Sequence, residues 1–132
     1  MKVRSAIMSL VGALGLIAIP SALLAHHGSA IYDETKSVQV TGVVTEWLWA
    51  NPHCLLEFDV KDDKGGSVHW TAEVSNPPDM IARGWSRKMF KPGDSVKLWL
   101  IAAKNGEPVA RIGRVEIDGK RYEGFGRVPG DK

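Results

Sequence analysis

His53 to Val74 reads HCLLEFDVKDDKGGSVHWTAEV, and its two halves alternate. Cys54, Leu56, Phe58 and Val60 fall on one side of the first half, with His53, Leu55, Glu57 and Asp59 on the other. The second half repeats this, with Val68, Trp70, Ala72 and Val74 set against Ser67, His69, Thr71 and Glu73. A period of two is the mark of a strand with one apolar face. Lys61-Asp62-Asp63-Lys64-Gly65-Gly66 between the halves has turn chemistry, so the stretch predicts a β-hairpin.

Upstream, Ser37 to Trp47 carries Val38, Val40, Val43 and Val44 and predicts the preceding strand. Gly42 inside it suggests a bulge where the strand bends. Trp47-Leu48-Trp49-Ala50-Asn51-Pro52 follows, and the Asn-Pro pair marks a loop. Downstream, Ser75-Asn76-Pro77-Pro78-Asp79 supplies a helix cap and first-turn prolines, and Gly84 supplies a left-handed stop. Trp85 and Phe90 are expected to pack this segment onto the sheet. Ser95 to Ala102 alternates with Val96, Leu98 and Leu100 inward. Pro108 to Ile117 gives another strand, and Asp118-Gly119 turns into a short one at Arg121 to Phe125. The order is three strands, a short helix, then further strands. It predicts a small all-β domain: a five-stranded OB-like Greek-key barrel with one short helix between strands 3 and 4. A small β-sandwich would share the turn spacing.

The flanks read differently. Lys2 and Arg4, the apolar run Ala6 to Ile19, Pro20 and a small residue at Ala25 have the layout of an export signal. The run falls short of the about 20 residues that span a bilayer, and no later stretch suggests a membrane span. The expected organisation is a signal peptide at 1–25, a flexible N-terminal arm at 26–36, the barrel at 37–125 and a loose tail at 126–132. The mature chain is expected to be periplasmic or secreted. The net charge of +2, from 17 basic and 15 acidic residues, disappears with Lys2 and Arg4. No basic footprint for nucleic acid is left. Cys54 is the single cysteine, so no internal disulfide forms.

These pieces, taken together, resemble an uncharacterised bacterial family of exported domains of unknown function. The resemblance rests on His26-His27 behind the signal, Tyr32-Asp33, and Val40-x-Gly42-x-Val44 followed by Trp49. It also rests on Asn51-Pro52-His53, Arg83-Gly84-Trp85 and Lys91-Pro92-Gly93-Asp94. Family members often have Ser and Phe after the paired histidines, where this chain has Gly28-Ser29-Ala30-Ile31. The resemblance implies export and a small β-fold, and brings no activity or cofactor with it.

Function must come from residues. Cleavage after Ala25 would give His26 a free α-amine beside its imidazole, a chelate suited to Cu(II). His27 or His53 would complete the set. The plainer alternative is a polar start that merely tolerates cleavage. The loop between the first two strands borders the usual OB binding surface. Trp47, Trp49, Asn51 and His53 there could hold a partner protein or glycan, or one tryptophan could simply close the barrel. His69 faces Asp59 across the hairpin and predicts a solvated pair. Cys54 falls on the apolar face, as a small hydrophobe. No Gly-x-Ser-x-Gly, His-Glu-x-x-His, phosphate loop or Cys-x-x-Cys is present, which argues against an enzyme. The expected role is an exported accessory or binding protein, with copper capture the sharpest specific form.

Overall fold

The structure, a computed structural model, describes residues 29–130. Among the described residues there are six strands: β1 (Val38–Leu48), β2 (Cys54–Lys61), β3 (Ser67–Val74), β4 (Ser95–Ala102), β5 (Val109–Ile117) and β6 (Lys120–Glu123). The helix α1 (Pro77–Ala82) sits between β3 and β4. Antiparallel pairing runs β3-β2-β1-β4-β5. A parallel contact between β3 and β5, with Ala72 opposite Ala110 and Glu73 opposite Arg111, closes the sheet. This is the five-stranded Greek-key barrel of OB type. β6 adds a hairpin extension on β5.

The hairpin forms as its alternation requires. Asp59 stands opposite His69, and Asp62 accepts backbone N–H bonds from Lys64 and Gly66 to shape the turn. Cys54, Leu56, Phe58, Ala72 and Val74 enter the core fully buried, where they meet Val96, Leu98 and Leu100 of β4. Removing each such aliphatic or aromatic side chain from water contributes about 1.5–3 kcal/mol. Asn76 caps α1 through Oδ1, which accepts from the Asp79 N–H at 3.0 Å. Gly84, at φ +84°, ends the turn, and Trp85 then drops into the core.

Gly42 has a different use from the one its position suggested. The register slips two residues later, between Val44 and Glu46. A Cβ on Gly42 would lie 2.6 Å from Phe58 Cδ2, so this glycine makes room for the Phe58 ring. Phe58 in turn stacks on Trp70, with the ring planes 11° apart.

Both ends of the described chain pack on the barrel; the sequence left docking of the arm open and suggested a loose tail. Tyr32 is 5% exposed and bridges to Ala103. The Asp33 N–H donates to the Ala102 carbonyl and the Lys104 N–H to the Ile31 carbonyl, both at 2.9 Å. At the other end Val128 is buried against Gly113, and Ser37 Oγ donates to the Pro129 carbonyl. These contacts join segments far apart in sequence, so no local pattern announces them.

His69 Nδ1 lies 2.7 Å from Asp59 Oδ1, and Nε2 lies 3.4 Å from Glu57. The Asp59 bond, foremost, raises the imidazole pKa above its ordinary value. Asp59→Asn is therefore expected to lower the His69 titration midpoint followed by NMR. An unmoved midpoint would show that the pair does not persist in solution.

Candidate functional site

The site grows from one cross-strand pair. Glu73 ends the polar row of β3, and Arg111 lies opposite it on β5. Arg111 Nε donates to Glu73 Oε1 at 3.1 Å. The docked arm brings the Tyr32 hydroxyl to the same oxygen, at 3.2 Å. His53, just ahead of β2, places Nδ1 2.9 Å from the other oxygen, Oε2. One carboxylate thus holds a guanidinium, a phenol and an imidazole.

The Arg111 guanidinium also lies against two aromatic rings. Its carbon sits 4.6 Å from the Tyr32 ring centroid and 4.8 Å from that of Phe125. Cation–π contacts of this kind contribute about 0.5–2 kcal/mol each. Phe125 reaches this position because β6 and the residues after it fold back on β5: the Phe125 N–H donates to the Ile112 carbonyl. Phe125 also meets the His53 ring edge-on, at 5.9 Å.

Burial grades the network. The Glu73 and Arg111 side chains are only 14% and 15% exposed, whereas that of His53 is 43% exposed. A carboxylate accepts hydrogen bonds, so His53 Nδ1 carries the hydrogen and donates it. In the neutral ring the lone pair then lies on Nε2. A carboxylate bonded behind one nitrogen of a histidine is the arrangement that orients metal-ligating imidazoles.

Tyr32 records the electrostatics. Burial first, then the Glu73 charge, pushes its phenol from 10.0 up to about 12. The folded state thus favours the neutral phenol. The stability this lends is fully present below pH 10 and is lost as pH rises toward about 12. Urea midpoints are expected to fall over that window, and Tyr32→Phe should flatten the fall. A wild-type profile kept by the variant would assign the alkaline loss to other groups.

The residues expected to form a binding surface divide into two groups. Trp47 and Trp49 are half-buried, with centroids 5.7 Å apart. Trp47 packs on Trp85 and edge-on against Phe90, and its Nε1–H donates to the Ser86 carbonyl. Both tryptophans are partly buried against the core. Asn51 is exposed ahead of a cis bond to Pro52, and His53 turns instead to Glu73 and Phe125. His26 and His27 lie outside the described residues. Cys54 is buried, and burial pushes its thiol up.

Tyr32, Glu73, Arg111 and Phe125 escaped the reading of the sequence. Glu73 looked like one more solvated strand carboxylate, and its partner Arg111 belongs to a parallel pairing across the barrel seam. A lone tyrosine in a polar arm was the one available signal.

Among the described residues, no group of three or more His, Cys, Asp or Glu side chains is arranged to hold a metal ion. None of the described helices is long and apolar enough to cross a membrane. No curated protein and no solved structure matches the chain. A family model does match, over residues 13–111, which is 99 of the 132 residues. That span takes in His26, His27, Tyr32, His53, Glu73 and Arg111 and stops short of Phe125. The chain therefore belongs to the family of unknown function DUF6152.

Proposed function

We propose that the protein is an exported binding protein that captures Cu(II) between its mature N-terminus and the barrel. The His26 α-amine and imidazole form the chelate, and His53 Nε2 completes it, with His27 as the alternative third ligand. The observation that carries this reading is the Glu73–His53 bond, which holds a partly exposed imidazole through Nδ1 and leaves Nε2 as its ligating nitrogen. Glu73 is itself fixed by Arg111 and by Tyr32. Reach is sufficient. Tyr32 and His53 bind the two oxygens of one carboxylate, and the six residues back to His26 span up to about 20 Å.

The chemistry sets the pH response. Imidazole and amine ligate only when neutral, so affinity falls as pH drops below about 6. The alternative, a partner protein or glycan held by Trp47, Trp49, Asn51 and His53, has less support. Trp47 packs on Trp85 and Phe90, Trp49 packs on Trp47, and His53 turns elsewhere.

The test is a copper titration of protein matured by its own cell, with its start fixed by mass spectrometry. One Cu(II) per chain with a tetragonal nitrogen signature in electron paramagnetic resonance is expected. His53→Ala and Glu73→Gln should each weaken binding by about 10–100-fold. A chain that does not start at His26 would remove the chelate, and undiminished affinity in both variants would remove the role of His53.

A further inference from the structure

A cavity of about 230 Å³ opens between the docked arm and the docked tail. Glu34, Ile101, Arg111, Phe125, Arg127 and Pro129 line it. We infer that this cavity is a binding site for a small organic carboxylate with a short apolar body. The inference is independent of copper capture.

Two guanidinium side chains share the lining, and a guanidinium matches a planar carboxylate through paired N–H bonds. Arg111 is already oriented for this. Its Nε is tied to Glu73, and its guanidinium carbon lies within 5 Å of the Tyr32 and Phe125 ring centroids, at 4.6 and 4.8 Å. Its Nη1 meets Glu34, at 3.4 Å, from a side chain 57% exposed. That long contact from an exposed rim residue is the one a ligand carboxylate would displace. Glu34 thus acts as a stand-in for the ligand. Ile101, Phe125 and Pro129 supply apolar walls, which an inorganic anion would not use. The volume lies below the roughly 300–1,000 Å³ of pockets for larger ligands, so the apolar body has only a few carbons.

Glu34 gives the inference its sign. Removing a competing carboxylate from the mouth of an anion site strengthens binding, because the ligand no longer meets a like charge there. The experiment is an NMR titration of the full, metal-stripped chain with sodium benzoate, using sodium sulfate at matched ionic strength as the control. Saturable shifts at Phe125 and Arg127 are expected with benzoate and not with sulfate. Arg127→Gln should weaken benzoate binding about tenfold, and Glu34→Gln should tighten it about threefold. Both positions lie at the rim, and the spectra themselves report folding. Absence of saturation, equal shifts with sulfate, or weaker binding by Glu34→Gln would each overturn the assignment.

Discussion

Gly124→Ala is expected to destabilise the protein by about 3–5 kcal/mol, one methyl group acting through the backbone. The added Cβ would lie 2.1 Å from the Ile112 carbonyl oxygen and 3.0 Å from its carbon. Backbone cannot swing aside as a side chain does, so the segment must lift off β5. Two short bonds go with it, from the Gly124 N–H to the Gly113 carbonyl and from the Phe125 N–H to the Ile112 carbonyl. The carbonyls of Glu123 and Gly124, which accept from Trp85 Nε1 and Arg83 Nη1, shift as well. Phe125 would then leave Arg111. At roughly 4 °C or more per kcal/mol for a domain of this size, Tm should fall by at least about 12 °C. Gly113→Ala is the matched control. Its new methyl meets the Val128 side chain at 3.0 Å and backbone no nearer than the Trp99 carbonyl at 3.4 Å, so it should cost only about 1–2 kcal/mol. Equal losses in the two variants would mean that the chain after β6 does not hug β5 in solution.

Glu73→Leu is expected to cost about 3 kcal/mol, and Glu73→Gln only about 1 kcal/mol. The leucine keeps the volume and removes every acceptor. Arg111 then retains the long Glu34 contact as its ion pair, and the Tyr32 hydroxyl and His53 Nδ1 lose their common partner. A largely buried guanidinium left short of a carboxylate is the expensive part. Glutamine still offers one oxygen to Arg111 and Tyr32. Urea unfolding distinguishes the variants, and the Tyr32 phenol provides a second readout. Without the Glu73 charge its titration should move down toward 10, followed by absorbance. Similar stabilities for the two variants would demote the carboxylate from its central position.

The barrel was largely legible in the sequence because three of its strands, β2, β3 and β4, state their own facing. Val96, Leu98 and Leu100 alternate, and all three are buried. Asp59 and His69 fall opposite each other because the turn between them fixes the register. Asn76 and Gly84 mark the ends of the helical turn by local backbone chemistry. The site was legible only at His53. Glu73 meets Arg111 through a parallel seam that no hairpin dictates, and Tyr32 and Phe125 arrive from opposite ends of the chain. Their identities are ordinary, and only the closed topology makes them neighbours. Trp47 and Trp49 left two readings open in the sequence, a binding face or a closure of the barrel end. An aromatic beside a loop can face water or close the core, and Trp85 and Phe90, some forty residues on, decide which.

The clamp on Arg111 also fixes an order of events. Tyr32 precedes its clamp partner Arg111 by 79 positions, and Phe125 comes later still. A chain delivered from its N-terminus presents the arm first, with nothing for it to grip. Tyr32 gains its seat only after β5 has emerged and the seam with β3 has shut. Fastening of Tyr32 onto Arg111 therefore cannot precede closure of that seam. Any ligand set that draws on both the arm and His53 is assembled on a finished barrel, so half-made chains carry the histidines without the site.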